Sequence, residues 1–294
     1  MSNQQPILIT GARGTLGQAF RRVCRIRGLH AVALDRAALD VADAASVESA
    51  VRQHRPWAVV NAAGYVRVDE AEADDARCYR ENTAGPQRLS AACAVHGAQL
   101  LTFSSDLVFD GQQATPYRED DSARPLNVYG HSKLLAEQAV LAQLPTALVV
   151  RTSAFFSAWD EHNFVHHALA AARAGRPFPA ADDLIISPTY VPDLVNAALD
   201  LLLDGARGRW HLANQGPCTW AELARLALHT AGLDEACVQP RPAAAFGWAA
   251  QRPRYSVLGS AHGALLPSVE SGLQRHLEDE RLLQSANPPA ILVG

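Results

Sequence analysis

The chain has 294 residues, of which 48% are hydrophobic and 19% charged, and a formal net charge of −4. That size and apolar share suit one globular enzyme or two closely fused lobes, and the slight acidity leaves no basic footprint for nucleic acid. No apolar run approaches the roughly eighteen residues of a membrane span, no charged-then-apolar leader marks secretion, and Cys24, Cys78, Cys93, Cys218 and Cys237 never stand as C-x-x-C. Reduced thiols in a cytoplasmic protein are the expectation.

Ile7-Leu8-Ile9-Thr10 reads as a short strand, Gly11 to Gly17 as a turn with glycines at i, i+3 and i+6, and Gln18–Val23 as part of an amphipathic helix. Glycines at a strand-to-helix junction let the backbone approach a pyrophosphate, whose charge then sits at the positive end of the helix. Gly11, Arg13, Gly14, Thr15, Leu16 and Gly17 are therefore the first candidate cofactor contacts. A second strand, Ala31–Leu34, ends in Asp35-Arg36. An acid about 20 positions past the glycines suits a ribose 2′-hydroxyl, whereas Arg13 and Arg36 suit a 2′-phosphate. The balance leans to NADPH and leaves NADH open. Asp40 and Val41 are added to this end of the cofactor site.

Further strands are expected at Trp57–Asn61, Leu100–Ser104 and Leu148–Arg151, with helices at Asp75–His96 and Ser132–Leu144. Such alternation specifies a parallel sheet with helices on both faces. The expected fold is α/β, a Rossmann-type doubly wound parallel sheet over residues 1–152. Beyond it, prolines punctuate the chain and helices are expected at Asn163–Ala174, Pro192–Leu203 and Thr219–Ala231. Residues 153–294 are read as a smaller α/β substrate lobe, with some segments returning to the core. The last ten residues read as frayed.

In an open parallel sheet, ligands bind beyond the carboxyl ends of the strands. That places Asn61-Ala62-Ala63 beside the cofactor and Ser104-Ser105-Asp106 beside a reacting group. Tyr129-Gly130-His131-Ser132-Lys133 puts a phenol and an ammonium four residues apart, on one face if the segment is helical. The lysine cation is expected to lower the tyrosine from its usual pKa of about 10, making Tyr129 a usable general acid or base. Lys133 also suits the nicotinamide ribose, and Ser105 a hydrogen bond to a carbonyl oxygen; its competing role is a turn cap. His162 and His166 are expected on one helical face. With no H-E-x-x-H and no carboxylate one turn on, no metal is expected there.

These segments, taken in order, resemble an extended short-chain dehydrogenase/reductase of the dTDP-4-dehydrorhamnose reductase family. The resemblance rests on the glycine turn, Val60-Asn61-Ala62-Ala63, Glu81-Asn82-Thr83, Phe103 to Gly111, Pro125 to Gly130, Arg151-Thr152-Ser153, Ser187-Pro188-Thr189 and Arg252 to Leu258. It implies Ser105, Tyr129 and Lys133 as catalytic residues, with Tyr129 and Lys133 also touching the cofactor. Ser105, Asp106, Asn163 and Arg254 are the implied substrate contacts. The implied reaction is hydride delivery to C4 of a nucleotide-linked 4-keto-6-deoxyhexose, and a homodimer is compatible with it. Ala154 stands where the family carries a tryptophan that packs on the sugar, and Leu184 and Ile186 replace an amide and a glycine. Ala19 stands where some members hold an acid for a bridging magnesium, so that metal is not expected. The segment Trp159 to Phe164 also resembles a reductase-like module that some bacterial chains carry behind a glycosidase-like domain. Leu107 follows Asp106 where related dehydratases carry a glutamate, which argues against dehydration. A 4-epimerase and a nucleotide-binding regulatory subunit, like that of methionine adenosyltransferase, stay open.

Overall fold

Alternate residues of each short strand face opposite sides of a sheet, and this chain makes both sides apolar. The computed structural model describes residues 5–264 and 266–286. Its strands are β1 (Ile7–Thr10), β2 (Ala31–Leu34), β3 (Ala58–Asn61), β4 (Gln99–Ser105), β5 (Leu148–Thr152), β6 (Phe155–Phe156), β7 (Phe178–Ala181), β8 (Ile185–Ile186), β9 (Thr189–Tyr190), β10 (Gly208–His211), β11 (Cys218–Thr219) and β12 (Val238–Arg241). Six of them form one parallel sheet in the order β2-β1-β3-β4-β5-β10. Winding reverses between β1 and β3, where Thr10 pairs with Asn61. The crevice beyond such a reversal is where open α/β sheets bind ligands.

Ile7 and Ile9 of β1 join Val60, Leu101 and Val150 on one face, covered by α1 (Thr15–Ile26) through Phe20 and by a later helix, Val191–Leu203. Leu8 joins Val59, Leu100 and Val149 on the other face, under α2 (Ala44–His54) and two further helices, Gly85–His96 and Val128–Gln143. Each fully buried Leu, Ile or Val contributes about 1.5–3 kcal/mol, so strands with two covered faces tolerate few polar residues. Several buried polar residues, among them Thr10, Asn61, Ser104, Ser105, Arg151 and Thr152, lie at the carboxyl ends.

The helix expected over Asp75–His96 is interrupted. It begins as α3 (Asp75–Tyr79), widens to a π-helical turn at Arg80–Ala84, and resumes as α4 (Gly85–His96). Pro86 has no amide to donate and its ring crowds the carbonyl four residues back, so the ladder re-forms around it. The helix expected from Ser132 starts earlier: α5 spans Val128–Gln143, because the Asn127 side chain caps it by accepting from Gly130 N at 2.7 Å. Helices α6 (Phe164–Arg173), α7 (Val191–Leu203) and α8 (Trp220–Thr230) match their expected positions within a residue, and α9 (Val269–Ala286) was not foreseen. Helices α6, α8 and α9 close a second apolar cluster around Phe156, Leu169, Tyr190, Leu223 and Leu273. Helix α7 and β10 return to the first sheet. Among the described residues no helix is long and apolar enough to cross a membrane. Of the last ten residues, 287–294 lie outside the described part.

Candidate active site

Two clefts meet beyond the carboxyl ends of the sheet. The first, of about 710 Å³, starts at the glycine turn and is lined by Gly11, Gly14, Thr15, Leu16, Arg36, Asp40, Val41, Ala62 and Ala63, with Asn163 at its far end. Backbone proximity explains the glycines. A Cβ on Gly17 would stand 2.1 Å from the Gly11 carbonyl oxygen, so only glycine lets α1 approach β1. A Cβ on Gly14 would meet only that same oxygen, at 3.4 Å, and otherwise points into space. Gly14 precedes α1 without a side-chain cap, which leaves the first helical amides for an anion.

At the open end of this cleft the charges are paired. Arg13 meets Asp35 at 2.7 Å, but its side chain is 86% exposed and lies outside the cleft lining. Arg36 lines the cleft and reaches Glu81 at 2.9 Å. Asp40 pairs with Arg80 at 2.7 Å. Asn61 sits deeper: it accepts from Thr10 Oγ1 at 2.9 Å and donates to Thr102 Oγ1 at 3.1 Å, tying β1, β3 and β4 together.

The second cleft, of about 550 Å³, has Ser105, Asp106 and Tyr129 at its floor. Tyr129 lies in the first turn of α5 and Lys133 one turn on, with the ammonium 5.6 Å from the tyrosine ring centroid and donating to Phe103 O at 3.3 Å. Gly130 sets this approach, since a Cβ there would lie 2.1 Å from the Leu107 carbonyl oxygen. The electrostatics differ from the sequence expectation. Burial pushes the Tyr129 phenol up rather than down, the Asp106 carboxylate adds to this, and a Ser105 hydrogen bond opposes it only partly. Burial also drives Lys133 down to about 8. Desolvation is the largest cause at both groups, and it disfavours the charged form of each. A protonated phenol is an acid, not a base.

Ser105 holds both roles weighed for it. Its oxygen accepts from Leu107 N at 3.1 Å as a turn cap, and its hydroxyl donates to Asp106 Oδ1 at 3.0 Å while lining the cleft. Asp106 is itself buried; desolvation raises its carboxyl, against hydrogen bonds from Ser256, Ser153 and Ser105.

Two residues read as substrate contacts are placed differently. Asn163 is spent on structure: it caps α6 by accepting from His166 N at 2.9 Å and donates to Ser157 O at 2.9 Å. Arg254 is exposed and lines neither cleft, its carbonyl being paired with Ile185 N. Arg252 lines the second cleft instead, held by both oxygens of Asp69 and lying 4.6 Å over Trp248. Asp69 is 183 residues away in sequence, so no local pattern selects the arginine. His162 precedes α6 and does not share its face with His166; it lines both clefts. Phe164, Trp220 and Trp248, which sequence reasoning missed, supply aromatic walls. Ala154, at the junction of the clefts, holds a left-handed φ of 42°, a conformation costly for alanine and common at functional sites.

The sequence of the RmlD substrate binding domain family matches residues 5–279. The chain belongs to that family. RmlD-type relatives include dTDP-4-dehydrorhamnose reductase of Streptomyces griseus, 40% identical over 257 residues that cover 85% of this chain and 84% of that protein. Another is dTDP-4-keto-6-deoxy-D-glucose reductase of Streptomyces niveus, 35% identical over 254 residues, covering 86% and 88%. Among solved RmlD-type structures, dTDP-4-dehydrorhamnose reductase from Bacillus anthracis in complex with NADP superposes with a TM-score of 0.89 at 30% identity, covering 94% of this chain and 99% of that one.

Proposed function

We propose that the chain is an NADPH-dependent reductase of a nucleotide-linked 4-keto-6-deoxy sugar, with Tyr129 as the general acid. The observation that carries this reading is that the cleft holding Tyr129 and Ser105, with Lys133 one turn on from Tyr129, shares the walls Ala154, Phe155 and His162 with the cleft at the glycine turn. Relatives named as dTDP-keto-sugar reductases support the substrate class, and the NADP complex of the structural relative supports the coenzyme.

A dinucleotide suits the first cleft because the Gly14 position is open and the α1 amides are uncapped. Gly11, Thr15 and Leu16 would surround the pyrophosphate, Arg36, Asp40 and Val41 the adenosine end, and Ala62 and Ala63 the middle. Bound there, a reduced nicotinamide supplies a hydride. The protein's part is to steer the ketone and its proton. Ser105 turns its hydroxyl to the carbonyl oxygen, and Tyr129 Oη gives that oxygen its proton. Lys133, 5.6 Å from the ring, offsets the phenolate left behind. Residues beyond Thr152 wall the sugar and so form the substrate lobe.

Two results test the cofactor part. A Gly14→Val protein is expected to keep its melting temperature, since the side chain has room, and to lose dinucleotide binding by fluorescence titration. Unchanged affinity would remove the basis for a pyrophosphate at this turn. Changing Arg13 and Arg36 together to alanine is expected to weaken NADPH far more than NADH, by about 1.5–3 kcal/mol, roughly one to two decades in Kd. Equal losses for both coenzymes would leave Asp35 as the residue that sets the preference.

A further inference from the structure

The second cleft is polar at its floor, apolar above it, and carries at its rim nitrogen donors, among them Arg252 in its pair with Asp69. The floor groups answer one another: Ser105 and Ser256 donate to Asp106 at 3.0 and 2.6 Å, Ser104 donates to Glu137, and Thr152 donates to Thr189 at 3.3 Å. The rim carries Arg252 with the imidazoles of His162 and His167. Between floor and rim the walls include Val66, Leu107, Phe164, Leu184, Ile186 and Trp220. Of these six side chains only the Trp220 indole has a polar atom.

Aromatic rings accept hydroxylated sugars through their C–H faces, so Phe164 and Trp220 do not discriminate. Leu184 and Ile186 do. Both are buried aliphatic residues, and the backbone beside them is already committed. Ile185 N donates to Arg254 O at 2.9 Å, its carbonyl accepts from Ser256 N at 2.9 Å, and Ile186 pairs with Cys218. A ring hydroxyl turned to this wall gives up its water and gains no partner, an unfavourable exchange.

We propose that the sugar accepted by this chain is hydroxyl-poor: a nucleotide-linked 4-keto-6-deoxyhexose that lacks a further ring hydroxyl, at C2 or C3, and packs that C–H edge on Leu184 and Ile186. The inference rests on the reductase reading above and narrows its substrate. The ketone lies at the Tyr129 floor, the deoxygenated edge on the aliphatic wall, and the diphosphate at the Arg252 rim.

The test measures kcat/KM with NADPH for a 4-keto-6-deoxyhexose nucleotide and for its 2-deoxy and 3-deoxy counterparts. One deoxygenated substrate is expected to be preferred by about ten- to a hundredfold, the discrimination an apolar pocket achieves against an added hydroxyl. A Leu184→Gln protein that still binds NADPH with wild-type affinity is expected to lose most of that preference, by gaining on the hydroxylated sugar. Equal kcat/KM for all three sugars in the wild-type protein would overturn this inference and leave the reductase reading standing. No turnover of any of them by a protein that binds NADPH would overturn both.

Discussion

A Tyr129→Phe protein is expected to bind NADPH as the wild type does and to reduce its 4-keto nucleotide sugar at least about a hundredfold more slowly. The hydride step leaves negative charge on the substrate oxygen, and the group placed to quench it is a phenol that burial keeps protonated. Loss of one hydroxyl leaves the ring, the helix cap at Asn127 and the glycine turn in place, so cofactor affinity is insulated from the change. Lys133→Met should differ, and is expected to damage both turnover and cofactor affinity if the ammonium, which lies beside Gly64 of the first cleft, serves the cofactor as well as the phenolate. Single-turnover kinetics with NADPH absorbance separate the two. A Tyr129→Phe enzyme that reduces its substrate at a near wild-type rate would sink the mechanism and put the regulatory-subunit reading ahead.

Five strands of the sheet were legible because each is a short apolar run, a pattern local enough to read; the sixth, Gly208–His211, is not such a run and was missed. Ile7–Thr10 and Ala31–Leu34 are observed with the bounds read from sequence. The glycine turn was legible for a similar reason, since steric need at Gly17 depends on neighbours six residues away. Helix α5 starts four residues before the expected Ser132, because the Asn127 side chain caps it through Gly130 N. What failed outright depends on distant partners. Desolvation and the Asp106 carboxylate act on Tyr129, and they reverse the shift expected from the lysine. Arg252 rather than Arg254 enters the second cleft because Asp69 grips it. The aromatic walls converge from α6, α8 and the segment before Arg252, separated by tens of residues.

The largest stability effect is expected from Arg151→Met. Arg151, at the end of β5, meets Glu137 of α5 through two hydrogen bonds of 2.8 and 2.6 Å, and their side chains are 2% and 1% exposed. Glu137 lies one turn beyond Lys133, so this pair also pins α5, which carries Tyr129 and Lys133, to β5. Removing the arginine leaves a buried carboxylate with Ser104 and the half-buried Arg209, 3.2 Å away. Breaking such a pair typically costs about 3–5 kcal/mol, a large share of the total stability of an ordinary domain. Urea unfolding should show that loss, with turnover falling further than cofactor affinity as α5 loosens over Ser105. The double variant Arg151→Met with Glu137→Leu then isolates the cause. Without a charge to strand, it should recover most of the lost stability, because well-packed apolar replacements of buried ion pairs are often neutral. A double variant as unstable as the single one would mean that the cost lies in the other groups Arg151 serves, the Glu119 carbonyl at 3.1 Å, His211 at 3.3 Å and the Phe109 ring at 5.0 Å, and not in the unpaired carboxylate.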